Sequence, residues 1–241
     1  SQGTQVVTLV DTTDPEIIAP SDIVVEATDL SGTMIELGEA TAHDVMGIAS
    51  VTEHPPRFFV LGETTVTWTA TDTSGNSASA TQTVTIVDTT SPIITAPDSI
   101  TAEATSADSN IVALGSPVSS DLVDIPSISN NAPDTFPLGE TAVIWTAVDE
   151  SGNSASATQT VTIVDTTKPG LSIPQDQTVE ASSLEGTLVE IGQAEAHDIT
   201  GISSIVHDAP DVFPLGSTLI AWIATDNHGN ITTAYQTVTV V

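Results

Sequence analysis

Cysteine is absent from this chain of 241 residues, so no disulfide braces it and its redox compartment cannot be read from thiols. Basic residues are nearly absent as well: Arg57 and Lys168 stand against 32 acidic residues, for a formal net charge of −30. Phosphate backbones and anionic membrane surfaces are both held by Lys and Arg, so nucleic acid and a charged bilayer surface are excluded as partners. With Lys168 as the single lysine, a Lys-Asn crosslink in every part of the chain is excluded too. No run of 18 apolar residues occurs, so no membrane-spanning helix is expected. No secretory leader is present and the chain starts at Ser1, which reads as a processed or excised piece. No helical period is found anywhere, so helices are not expected.

What the chain has is repetition. The stretch from Asp72 to Pro92, DTSGNSASATQTVTIVDTTSP, returns from Asp149 to Pro169 with changes only at Thr73/Glu150 and Ser91/Lys168. A third copy begins at Asp226, so that Asp72, Asp149 and Asp226 are spaced by 77 residues. A fixed period marks a tandem array. The period divides the chain into residues 1–10, 11–87, 88–164 and 165–241. Residues 1–10 match residues 78–87 in register and read as the last strand of a preceding repeat, so the array is expected to extend further.

Each repeat reads as short strands between Gly and Pro turns. In the first, Pro15 and Pro20 bracket a short edge segment at Ile17-Ile18, and Ile23–Ala27 alternates. Met34–Leu37 and Ala40–Ala42 read as one strand broken at Gly38, and Ile48–Val51 as the next. Thr65–Thr71 places Val66, Trp68 and Ala70 inward, and the Ser74-Gly75-Asn76 turn leads into a final strand, Ala78–Val87. The fold class predicted is all-β: three tandem β-sandwiches, end to end, preceded by the orphan strand. Trp68, Trp145 and Trp222 share one register and are assigned to the three cores.

These segments resemble a known family. The residues that carry the resemblance are Ile17-Ile18-Ala19-Pro20, Phe59 through Asn76 (FVLGETTVTWTATDTSGN) and Thr83 through Asp88 (TVTIVD), with counterparts in all three repeats. The pattern resembles the hyalin repeat, an immunoglobulin-like module of extracellular proteins in animals and of bacterial or archaeal surface proteins. Many hyalin repeats carry two cysteines that bridge the sheets. Here Trp68, Trp145 and Trp222 stand in the strand that would hold one, and Val51, Ile128 and Ile205 lie near the place of the other. The resemblance therefore implies a core held by packing and by something at the junctions. It implies structural or adhesive roles, no catalysis, and a location that is extracellular, at the cell surface or secreted.

An immunoglobulin-like sandwich has two poles, and three recurring acids fall in loops that share the pole facing the preceding repeat. In repeat one they are Asp11, Asp44 and Asp72, with Asn76 beside them. In repeat two they are Asp88, Asp121 and Asp149 with Asn153, and in repeat three Asp165, Asp198 and Asp226 with Asn230. Three carboxylates without Lys or Arg repel one another, and a hard divalent cation removes that cost; Ca²⁺ takes roughly six to eight oxygen ligands and fits better than Mg²⁺. Glu26 or Glu63 would add oxygens to the second site, and Glu103 or Glu140 to the third, similar in logic to the calcium-stiffened junctions of cadherins. Two readings stand at this point. One is calcium; the other is that each Asp before a Gly-Asn turn caps its own hairpin. The acidity likewise fits either calcium binding or a saline habitat, where dense carboxylates keep a surface hydrated.

The five histidines do not recur in all repeats, which argues against a transition-metal site, and Ser120 stands where His43 and His197 do, which removes any repeated Ser/His/Asp set. The functional expectation is a stiff structural segment, a stalk, filament or surface-layer element, with calcium at its junctions. The alternatives are an adhesin segment that binds glycan or protein, or a passive spacer of a secreted enzyme. Partners expected are further copies of the same repeat, with strand donation by residues 1–10 as an added possibility.

Overall fold

The computed structural model describes residues 3–241, and strands make up all of the regular structure among them. Repeat one holds β1 (Glu16–Ile18), β2 (Ile23–Glu26), β3 (Thr41–His43), β4 (Ile48–Glu53), β5 (Gly62–Asp72) and β6 (Ser77–Val87). The same six follow in repeat two: β7 (Ile93–Thr95), β8 (Ile100–Glu103), β9 (Val118–Ser120), β10 (Ser127–Asn130), β11 (Gly139–Val148) and β12 (Ser154–Val164). Repeat three supplies β13 (Gly170–Ser172), β14 (Gln177–Val179), β15 (Glu195–His197), β16 (Ile202–His207), β17 (Gly216–Asp226) and β18 (Ile231–Val240). Each repeat builds a two-stranded sheet and a four-stranded sheet; in the first the orders are β1-β3 and β2-β6-β5-β4. Pairing is antiparallel throughout the four-stranded sheet except that β2 runs parallel to β6.

The long central hairpin carries the core. Along β5 and β6 inward positions alternate with outward threonines and serines, so that Val66, Trp68, Ala70, Val84 and Ile86 are buried while the other face meets water. Phe59 joins them from the loop ahead of β5. Met34–Leu37 forms no strand, contrary to the alternation that predicted one. Its two ends turn at Gly32 (φ 113) and Gly38 (φ 84), and only Thr33 pairs, as an isolated bridge with Phe59. Ile35 and Leu37 still pack against the core, so the segment keeps the buried pattern of a strand without its ladder.

A polar staple replaces covalent bracing in each core. Gln82 is fully buried; it accepts a hydrogen bond from Trp68 Nε1 (3.3 Å), and its Nε2 donates to the carbonyls of Ser21 (2.7 Å) and Leu37 (3.1 Å). The same arrangement joins Trp145, Gln159, Asp98 and Leu114, and again Trp222, Gln236, Gln175 and Ile191. One side chain thus ties the hairpin to two unpaired stretches of backbone.

Spatial proximity groups the chain into two compact units. The first runs to Thr95 and adds Val118–Ser129 and Thr146–Ser156; the second takes Ala96–Pro117, Asn130–Trp145 and Ala157–Val241. Within the first, Gly3–Val10 makes no ladder, and Val6, Val7, Leu9 and Val10 are exposed; Ser1 and Gln2, part of the proposed orphan strand, lie outside the described residues.

Replacing Gln82 with Leu leaves the Trp68 indole N–H and two carbonyls without partners. Buried unpaired groups cost about 1–3 kcal/mol each and are not additive, so Gln82→Leu is expected to destabilise repeat one by roughly 2–5 kcal/mol in urea unfolding. A loss under about 1 kcal/mol would contradict the staple.

Candidate metal centre

Three aspartates meet at one end of every repeat. In repeat one these are Asp11 from the connector, Asp44 after β3 and Asp72 at the end of β5; in repeat three they are Asp165, Asp198 and Asp226. One carboxylate oxygen from each member lies within 4.8 Å of the others. The hairpin turn sets the third member. Asp72 Oδ1 accepts from the backbone N–H of Ser74 (2.8 Å) and Asn76 (2.9 Å), while Oδ2 accepts from Asn76 Nδ2 (2.7 Å). Asp44 and Asp11 each take one backbone N–H two residues on, from Met46 and Thr13. Asn76 Nδ2 also donates to the Asp11 carbonyl (3.4 Å), and Asn153 and Asn230 repeat both contacts in their own repeats. The asparagines thus enter as donors that fix the carboxylates and the connector.

In repeat two the trio is Asp88, Asp124 and Asp149, with Asp121 outside it. Asp124 stands in the register of Gly47 and Gly201, which adopt positive φ (99° and 96°) and present their carbonyls to Thr73 N and Asn227 N. Among the described residues no non-glycine adopts positive φ, so the loop of repeat two takes another path. Its side chain supplies the acceptor instead: Asp124 Oδ2 takes the Glu150 N–H at 2.6 Å. That bond carries Asp124 into the cluster, while Asp121 caps its own turn through Val123 N (3.0 Å). Asp88 Oδ2 and Asp124 Oδ1 are buried without a hydrogen-bond partner. An ionised oxygen in that state is costly unless a cation or proton meets it.

Repeat three is furnished differently. Thr200 Oγ1 lies 2.6 Å from Asp165 Oδ2 and 2.8 Å from Asp198 Oδ1, and His228 Nδ1 lies 3.3 Å from Asp165 Oδ2. Neither residue recurs in the other repeats, which is why a search for recurring acids passes over them, as it does over Asp124.

Glu26 and Glu103 do not stand free to join a cluster. Glu26 takes the Thr89 N–H (2.7 Å) and the hydroxyls of Thr89 (3.0 Å) and Thr90 (2.9 Å), and Glu103 holds Thr166 and Thr167 in the same way. The carboxylate at the end of one repeat therefore latches the Thr-Thr connector that leads into the next. These bonds, led by the connector's first threonine N–H, hold both glutamates below the usual carboxylate range.

Burial alone pushes Asp72 and Asp226 upward and is the largest single influence on each. The bonds from Asn76 or Asn230, and then from the turn backbone, outweigh it together, so both carboxyls titrate below their usual value. A depressed folded value means stability that is present above the ordinary carboxylate pKa of about 3.9 and is lost as pH falls through the lower folded one. Asn230→Ala removes the largest bond-derived influence on Asp226. Its titration, followed by NMR, is expected to move up and acid unfolding of repeat three to begin at higher pH; an unmoved titration would contradict the account.

The HYR domain family matches residues 10–86 and 87–163. Hyalin of Strongylocentrotus purpuratus is 35% identical over 250 residues, covering 96% of this chain and 21% of that protein. Hyalin of Lytechinus variegatus is 36% identical over 253 residues, covering 92% of this chain and 45% of that protein. The chain thus spans less than half the length of either. Among solved structures, mouse cadherin-23 EC22-24 matches over 95% of this chain and 99% of that one, at 16% identity and a TM-score of 0.38.

Proposed function

The chain belongs to the HYR domain family, and from that premise we propose that it is a non-catalytic extracellular segment, structural or adhesive, whose repeats are stiffened by calcium at the acid clusters. The observation that carries this reading is the pair of buried, unpartnered carboxylate oxygens on Asp88 and Asp124, inside one of three clusters at the corresponding ends of the repeats. Ligands about 2.4 Å from a common Ca²⁺ lie at most about 4.8 Å apart, so oxygens spaced as these are can share one ion. An all-oxygen donor set favours a hard cation over zinc or copper.

The proposed ligands are Asp11, Asp44 and Asp72; Asp88, Asp124 and Asp149; and Asp165, Asp198 and Asp226. Asn76, Asn153 and Asn230 hold them in place, and carbonyls and water complete each shell. Each cluster joins a connector aspartate to two loops of the repeat it enters, so an ion there fixes the connector's departure. The glutamate latch fixes its other end. The proposal gives each junction two restraints, one metal-dependent and one not. The hyalin relatives support placing such an array outside the cell, as part of a longer chain of further copies.

Ions that bind only the folded junction stabilise it by about 2.7 kcal/mol per site at a hundredfold excess over Kd. Calcium is therefore expected to raise the melting temperature, and a chelator to lower it and broaden the particle dimensions seen by X-ray scattering. Curves that superimpose with and without chelator would overturn the calcium reading. Asp124→Asn separates the two sides of the argument by sign. Without calcium it relieves repulsion and should raise the midpoint by a few degrees, since about 1 kcal/mol is worth roughly 4–8 °C in a domain of this size. With calcium it should lower the midpoint relative to wild type, and the same sign in both conditions would contradict the site.

A further inference from the structure

The end of repeat one away from its acid cluster carries a recess between two loops. Its walls include Ala27, Leu30, Thr33, Phe59, Leu61 and Ile86, and Val123 of repeat two closes one side. Val123 is only 5% exposed and packs in the same buried cluster as Phe59 and Ile86. An apolar side chain from the loop of one repeat thus plugs the end of the one before it.

Repeat three has the same recess, about 340 Å³ in volume. Its walls include Ala181, Leu184, Thr187, Phe213, Leu215 and Val240, the counterparts of the six residues above, and all of its lining belongs to repeat three. Leu184 and Leu215 are 104% and 75% exposed, against 71% and 42% for Leu30 and Leu61 beside Val123. The Thr187–Phe213 bridge holds the two loops together as Thr33–Phe59 does in repeat one.

We propose that the recess of repeat three is a docking socket for a further repeat of this family, one whose loop presents an apolar residue at the place of Val123. The occupant is named by the occupied counterpart: equivalent walls already hold that side chain in this chain. The residue at this place sets the kind of junction. In repeat three it is Thr200, whose hydroxyl is spent on Asp165 and Asp198, and in repeat one it is Met46, which is half-exposed. A connector would keep the incoming loop at high effective concentration, so a small apolar contact suffices. The inference rests on the tandem-repeat architecture and not on calcium.

The test extends the full chain after Val241 with a second copy of residues 88–164 and follows hydrogen exchange of Ser182–Thr187 and Phe213–Leu215 in the presence of chelator. Tryptophan emission of the added repeat checks that it folds. Exchange in both segments is expected to slow several-fold, and to return to the rate of the unextended chain when the counterpart of Val123 in the added copy is changed from Val to Asp. No slowing with the unaltered copy, or equal slowing with the altered one, would overturn the socket. Slowing that appears only with calcium would also overturn it, because the cation rather than the side chain would then hold the junction.

Discussion

Like charges at close range, in a chain with two basic side chains, are the constraint from which the rest of this architecture follows. Two unit charges about 4 Å apart interact by about 1 kcal/mol in water and about 4 kcal/mol at the effective dielectric of a protein surface. Three aspartates in one cluster face that repulsion in each repeat, and among the described residues neither Arg57 nor Lys168 makes an ion pair with a cluster aspartate. Part of the cost is met by the backbone. Asp72 and its counterparts collect the N–H groups of a hairpin turn, and the connector and loop aspartates each take one more. The turn-capping and calcium readings are therefore not rivals. Turn donors fix one face of each carboxylate and hold it where its remaining lone pairs converge with those of its neighbours.

The second repeat displays this division most clearly. Replacing a positive-φ glycine with Asp124 exchanges a backbone acceptor for a side-chain acceptor toward the hairpin N–H and adds a charge to the cluster. The added charge arrives with an oxygen that nothing satisfies. Around that site the fold supplies rigidity from two independent sources. Within the repeat, a buried glutamine joins the core tryptophan to two unladdered segments. Past its end, a glutamate latches the Thr-Thr connector. Both are polar devices in a chain with no disulfide, and both recur with the period, as expected of units that fold by the same local rules.

The period, most of the strand segments along the chain and the members of two of the three acid trios were legible in the sequence, because each repeats and because alternation along β5 and β6 is uninterrupted. The Met34–Leu37 segment was misread because burial and laddering usually coincide in a half-buried strand; here alternate side chains pack while two glycines turn the backbone away from any partner. Asp124 was missed for the opposite reason. A search by recurrence favours Asp121, which does recur, over an acid that occupies a glycine's place in a loop that repacks. Glu26 and Glu103 were noted as oxygens that would reach the next site, yet their hydrogen bonds commit them to the connector threonines one and two residues past Asp88 and Asp165. Gln82 carried no sequence signal beyond its repetition, since a lone glutamine in a strand of threonines reads as surface.

The central claim is that each aspartate trio shares one calcium ion. Anomalous diffraction from crystals grown in calcium tests it directly, because it locates the ions as well as counting them. The account predicts three peaks per chain, one within each trio, with Asp124 rather than Asp121 at the second. Peaks confined to lattice contacts, or none at any trio in a crystal that holds calcium elsewhere, would contradict it.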